Sequence, residues 1–371
     1  MTMALLSFSL SRQHGRTLRL LVATLLVALL YGCASERGFQ PTPVAPGDSG
    51  QSPLRATSWQ ALPGWQADNL LSAWSAFLIS CRTLAQKPDW ATACNDARHV
   101  DPLDSHAIRR YFEHHFTPWR LANRDGTTVG TITGYYEPVL NGSRYRHGRY
   151  QTALYRNPDD SSLLASSRAE LIRSGVLRGS ELVWVDDPVE AAFLQIQGSG
   201  RIRLEEGGVM RVAFAGATRH PFQSFARELL DNGEITPAQA TLAGIKAWAQ
   251  RHPQRVQQML NVNPRFVFFR ELDDRHGDSD GPVGAQGVPL TAQRSIAVDP
   301  NEIPLGAPVF LSTTQPLSNR HLQRLMMAQD TGNAIRGRVR ADYFWGHGDE
   351  AGANAARMKQ PGQMWVLLPQ R

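Results

Sequence analysis

A mainly β fold that also carries helices, with a compact barrel formed by its C-terminal part, is what this 371-residue sequence predicts. Two observations carry that expectation. After Asn263-Pro264 the segments RFVFFREL, SIAVDP, APVFLS, RLMMAQD, VRADYFW and QMWVLL are short and rich in β-branched and aromatic residues, with glycine turns between them. Strands of that length and spacing close into barrels. Earlier in the chain, Leu70, Leu71, Trp74, Phe77, Leu78, Cys81 and Leu84 recur at three- and four-residue steps, which puts them on one buried face of a helix.

The remaining elements follow in order. Residues 1–32 hold Arg12, Arg16 and Arg19, no acid, and the apolar run Leu20–Tyr31 before Gly32-Cys33. This reads as a lipoprotein signal peptide, too short to span a bilayer, with Cys33 as the lipidated residue. An uncleaved anchor is the other reading, and Tyr31 is an unusual residue before Gly-Cys. Residues 33–58 are rich in Pro, Gly, Ser and Gln without apolar periodicity and read as a flexible tether. A second helix is expected over Ser105–His115, then strands in GTITGYYEPVLNG and GRYQTALYR. Ser167 with Glu170 three residues later forms a capping box for a short helix ended by Gly175. ELVWVDD and EAAFLQIQGSGRIRL read as strands, and two helices follow near 221–232 and 237–252, the second with Leu242, Ile245 and Trp248 inward. The segment DDRHGDSDG at 273–281 departs from a calcium-binding loop because Gly287 stands where the closing acid belongs, and it reads as a solvated, mobile loop.

With the leader's three arginines removed, 36 basic residues face 33 acidic ones. No basic stripe is interleaved with aromatics, so nucleic acid is disfavoured as a partner. Besides Cys33 the chain has only Cys81 and Cys94. In an exported protein their spacing predicts a disulfide across a helix hairpin, the alternative being two buried thiols.

No zinc, Walker or dinucleotide motif is present, so neither metal nor cofactor is expected. Three segments stand out: TGYYEP (133–138), QIQGSGRI (195–202) and the aspartates Asp299, Asp330 and Asp342. Each has a plain structural reading. Gly134-Tyr135-Tyr136 can be a strand with core aromatics, Gly198-Ser199-Gly200 a tight turn, and Asp330 before Thr331-Gly332 a turn residue bonding its own backbone. Asp342 resists such a reading. It lies in an apolar, aromatic strand, where a carboxylate must be paired, hydrogen-bonded or protonated. A desolvated aspartate that keeps its proton is what glycosidic-bond cleavage needs as a general acid. Strand alternation puts Phe344 on its side and Tyr343 and Trp345 opposite.

Together with NPRFVFF, QGVPLTAQRSIAVDPNEIPLG and QDTGNAIRGRVRADYFWG followed by DEAG, these motifs resemble the membrane-bound lytic murein transglycosylase A family, with a C-terminal three-aspartate domain, from about residue 65 onward. The resemblance implies a double-psi β-barrel domain from residues 59–137 and 266–371. A smaller β-rich, barrel-like domain would be inserted at 138–265, with a substrate groove between the two. It implies cleavage of the β-1,4 bond between N-acetylmuramic acid and N-acetylglucosamine without water, leaving 1,6-anhydro ends, with Asp342 as the single catalytic acid and base. Asp330 and Asp299 would support the site, and Thr133, Tyr135, Gln197, Ser199 and Gly200 would line the groove. Gln195 departs from the acid of some relatives and receives no catalytic role. The expected partners are peptidoglycan glycan strands, the membrane through the N-terminal lipid, and cell-wall synthesis or scaffold proteins. The expected place is the periplasmic side of a Gram-negative outer membrane, and the expected mode is exolytic. A hydrolase using Asp330 or Asp299 to activate water, or a non-catalytic wall-binding lipoprotein, are the alternatives.

Overall fold

The structure, a computed structural model, describes residues 54–272 and 281–370. The leader, Cys33, most of the tether and the 273–280 loop lie outside the described residues. No helix among the described residues is long and apolar enough to cross a membrane.

Fourteen strands are described in chain order. The first four are β1 (Leu54–Ala56), β2 (Phe116–Leu121), β3 (Gly130–Glu137) and β4 (Val139–Ser143). Then come β5 (Thr152–Tyr155), β6 (Glu181–Val185), β7 (Ser199–Leu204), β8 (Val209–Ala217) and β9 (Val267–Glu271). The chain ends with β10 (Ser295–Ala297), β11 (Pro308–Thr314), β12 (His321–Asp330), β13 (Arg340–His347) and β14 (Lys359–Pro369).

Two sheets divide these strands. In the larger sheet β14, β11, β12, β10, β13 and β3 are paired in that order, and β3 pairs again with β14. Six strands therefore form a closed ring with no edge of its own, and β2 and β1 extend it from β14. The second sheet has the order β5-β6-β4-β7-β8-β9. Pro138 alone separates β3 from β4, so the chain leaves the ring and enters the second sheet within one residue. It stays there through β9, which pairs with β8 as far as Glu271.

The helix Leu70–Leu84 packs against the ring with Leu70, Trp74, Phe77 and Leu84 fully buried. The helix Ser105–His115 adds Ile108 and Phe112 to the same core. Arg294, at the entrance to β10, ties this layer down. Its guanidinium donates to both oxygens of Asp68 at 2.9 and 3.0 Å, to the carbonyls of Asn69 and Leu325, and to Ser72 Oγ. Both members of the ion pair are buried.

Cys81 and Cys94 form a disulfide between Leu70–Leu84 and the next helix, Pro88–Asp96. Closing a loop of this size removes freedom from the unfolded chain worth about 3 kcal/mol. The Cys81→Ser, Cys94→Ser double variant is therefore expected to lose about that much stability in denaturant titration; an unchanged midpoint would mean the bridge does not constrain the unfolded chain.

One expectation is corrected. The stretch read as a strand at 190–204 begins as a helix, Pro188–Gln197, and only Ser199–Leu204 is strand. Asp187 caps that helix by accepting from the backbone N–H groups of Val189 and Glu190, and Pro188 holds its first position. These are start signals that outweigh a short apolar run common to buried helices and strands. Gly198, with φ +83°, is its left-handed C-terminal stop, so Gly198-Ser199-Gly200 is a helix-to-strand junction and not a hairpin turn. The helices Val256–Asn261 and Gly348–Arg357 were not expected either, although Asp349 and Glu350 in the first turn and the alanines after them favour the second.

Candidate active site

Strand register gathers the aspartates. A bulge between Ile296 and Ala297 shifts the β10–β12 pairing, so that Ala297 stands opposite Asp330, while on its other side Ala297 stands opposite Asp342. Asp342 in turn faces Thr133 on β3, and Thr133 faces Lys359 on β14. Five neighbouring strands thus contribute one register row: Asp330, Ala297, Asp342, Thr133 and Lys359. Bulges that re-aim side chains recur beside active sites. Gln329, the residue passed over by the bulge, is buried and donates to the Ala76 carbonyl and Ser80 Oγ of the helix behind β12.

The two row aspartates are both partly buried and differ in their donors. Asp330 accepts from Tyr135 Oη at 3.0 Å, from the backbone N–H of Ala285 at 3.0 Å, and from the backbone N–H of Thr331. Asp342 accepts from the Thr133 hydroxyl at 2.6 Å. Burial pushes the pKa of each above the ordinary aspartate value. Three donors oppose this at Asp330. At Asp342 the opposition comes from one hydroxyl and the nearby Arg340 charge, and the Asp330 carboxylate pushes the same way as burial. Hydrogen bonds to the charged form favour ionisation. Of the two carboxyls, Asp342 has the fewer hydrogen-bond donors to its charged form.

Asp299 is the third aspartate and does different work. Its Oδ2 accepts from the Gly337 N–H and its Oδ1 from Asn301, with the Arg336 guanidinium 3.7 Å away. The Gly337 bond is the chief reason that its pKa lies below the ordinary value. It staples the turn that leads into β13 and takes no place in the row.

Phe344 lies on the Asp342 side and packs on Tyr135, ring centroids 5.2 Å apart. It is buried and offers no open face to a ligand. Tyr343 and Trp345, on the opposite side, are core residues. A Cβ at Gly134 would come within 2.7 Å of the Trp345 indole nitrogen, so packing explains that glycine.

The second sheet meets β3 through QIQGSGRI. Gln197 accepts from the backbone N–H of Tyr136 through Oε1 at 3.3 Å, and Arg201 pairs with the buried Glu137 at 2.8 Å. Ser199 is partly exposed. Gly200 is buried, and a Cβ there would meet Leu194 Cδ1 at 2.4 Å, so its role is close packing. Gln195 is buried and accepts from Arg168 and from the Val267 N–H. Sequence reasoning missed Arg340, whose Nη1 donates to Thr133 Oγ1 at 2.9 Å. Its position two residues before Asp342 puts both on one face of the strand, and that alternation was the available signal. Among the described residues no group of three or more His, Cys, Asp or Glu is placed to hold a metal ion.

Comparison with known proteins places this arrangement. The MltA specific insert domain family matches residues 131–270, and the 3D domain family matches residues 294–368. The chain is 31% identical over 257 residues to membrane-bound lytic murein transglycosylase A of Escherichia coli strain K12, covering 67% of this chain and 68% of that protein. It is similar to the solved lytic transglycosylase LtgG of Burkholderia pseudomallei at 54% identity and a TM-score of 0.67, over 89% of this chain and 99% of that one. It is also similar to E. coli MltA crystallised with bound chitohexaose, at 25% identity and a TM-score of 0.71, over 88% and 100% of the two chains. A two-sheet architecture shared with solved relatives, and family matches that together span all five strands of the aspartate row, lead to one conclusion: this chain belongs to the membrane-bound lytic murein transglycosylase A family and carries its insert domain and C-terminal 3D domain.

Proposed function

We propose that this lytic transglycosylase cleaves the β-1,4 bond between N-acetylmuramic acid and N-acetylglucosamine in peptidoglycan without water, with Asp342 as its single acid and base. The observation that carries the reading is the imbalance of donors between Asp330 and Asp342. Protonated Asp342 gives its proton to the glycosidic oxygen as the C1–O bond breaks, and the substrate's N-acetyl group stabilises C1. The Asp342 carboxylate then takes the proton of the muramoyl C6 hydroxyl as its oxygen bonds to C1. The products are a free N-acetylglucosamine hydroxyl and a 1,6-anhydro end, and Asp342 is again protonated, so one group serves both steps.

The six-strand ring is the three-aspartate barrel of this reading and the second sheet its insert, with the return to the barrel placed after β9 instead of at residue 266. A glycan strand lies between them, along Tyr135, Gln197 and Ser199. The chitohexaose bound by a solved relative supports a glycan as the ligand. Cys33 carries the lipid that anchors the chain at the outer membrane, and cleavage proceeds from strand ends.

The test is digestion of purified peptidoglycan with the full chain in detergent, followed by mass spectrometry of the released muropeptides. Fragments one water lighter than hydrolysis products are expected; ordinary reducing ends would make the enzyme a hydrolase and overturn the reading. The pH dependence supplies a second check. An acid whose pKa is raised is active below that pKa and loses activity as pH rises through it. Removing the Asp330 charge lowers the Asp342 pKa, so Asp330→Asn is expected to move the alkaline limb of the kcat/KM profile to lower pH. A limb that stays in place would remove Asp330 from the electrostatics of the acid.

A further inference from the structure

We infer that Arg340 is a positioning residue of the reaction: through the Thr133 hydroxyl it fixes which oxygen of Asp342 carries the proton. The inference rests on the assignment of Asp342 as the acid. A threonine hydroxyl has one proton to give, whereas a guanidinium has only donors and stays charged. Arg340 Nη1 reaches Thr133 Oγ1 at 2.9 Å, so the hydroxyl oxygen accepts there and its proton must go elsewhere. It goes to Asp342 Oδ1 at 2.6 Å. Oδ1 is thereby committed as an acceptor, and Oδ2 is the oxygen left to hold the transferable proton.

The guanidinium that starts this chain is itself fixed. The two N–H groups of the same Nη1 are shared between Thr133 Oγ1 and the carbonyls of Ala341 at 2.6 Å and Thr131 at 3.3 Å, one on β13 and one on β3. Choosing one oxygen over its twin gains only about a factor of two. The larger gain is that a carboxyl held by a directed donor cannot rotate out of line with the bond it protonates. Misplacement on the order of 1 Å costs roughly 100-fold in rate.

Among the described residues the charged and titratable groups around Asp342 are few. Arg340 lies on its own strand, Tyr135 on β3, Asp330 on β12 and Lys359 on β14 opposite Thr133; β10 contributes only Ala297 to the row. Arg340 and the Thr133 bond draw the Asp342 pKa down, while burial and Asp330 draw it up. Losing either downward influence leaves the acid protonated to higher pH.

The experiment compares Arg340→Met, Arg340→Lys, Thr133→Val, Thr133→Ser and the Arg340→Met, Thr133→Val double variant in the full chain, using soluble glycan strands and counting anhydro ends. Arg340→Met and Thr133→Val are each expected to lower kcat about 10-fold to 100-fold with KM within about twofold. Both should move the alkaline limb of the kcat/KM profile to higher pH. The double variant is expected to be no slower than Thr133→Val, because both changes break one chain. Thr133→Ser and Arg340→Lys, which keep a hydroxyl and a cationic donor, should return to within about threefold of the parent. If Arg340→Met melts early, Arg340→Lys and Thr133→Val carry the test. A loss confined to KM, losses that multiply in the double variant, or a parental rate in Arg340→Met would overturn the inference. A parent that makes no anhydro ends would overturn the assignment of the reaction itself; a parent that makes them, with Asp342→Asn dead and Arg340→Met unaffected, would remove Arg340 alone.

Discussion

Asp342→Asn is expected to lower kcat on peptidoglycan by about 1,000-fold to 10,000-fold, the upper part of what a positioned acid contributes, because in the proposed mechanism both proton transfers pass through one group. Asparagine keeps the shape and the oxygen that accepts from Thr133 but has no acidic proton. The fold should not suffer. Burial already disfavours the charged form of Asp342, so a neutral amide in its place relieves desolvation, and the melting temperature is expected to stay level or rise. Rates from muropeptide mass spectrometry and a thermal melt followed by circular dichroism separate the two effects. An Asn variant that still makes anhydro ends at the parental rate would return the search for the acid to Asp330.

Arg294→Met is expected to cost about 3–5 kcal/mol of stability, because it strands the buried Asp68 carboxylate without its partner. Asp68 would keep the Leu325 N–H donor at 2.7 Å, which is too little to replace two charge-assisted bonds. For a chain of this size that loss lowers the melting temperature by roughly 10 °C. Replacing both members, as Asp68→Leu with Arg294→Met, should restore most of it, since an apolar pair carries no desolvation penalty. If the double variant is as unstable as the single one, the pair matters for its several backbone contacts and not for its charges.

The sequence made some of this architecture legible and concealed the rest for physical reasons. The helix Ser105–His115 and the capping box at Ser167 are written in local signals that need no tertiary partner. Alternation along β13 separates Phe344 from Tyr343 and Trp345 in the same way. The helix Pro188–Gln197 was hidden because an apolar run buried on both faces has no period to read, and its cap residues were the better guide. What no local pattern shows is the row itself. It depends on a bulge at Ala297 and on pairings between strands far apart in sequence, and so does the Arg340 to Thr133 contact. Asp299 carries the same motif label as its two companions, yet only the fold shows that it ties a turn while they share a row.

The closed ring also has a consequence for the making of the enzyme. Thr133 and Asp342 meet across 209 positions of chain, and β14, which follows every other ring strand in sequence, is the one that seals β3 against β11. Contacts of such long range form late, after the loops between them have been closed. A nascent chain that has emerged through β13 already contains all three aspartates, but its barrel is open along one seam. The ring that holds Thr133 beside Asp342 is therefore closed only by the last strand of the chain.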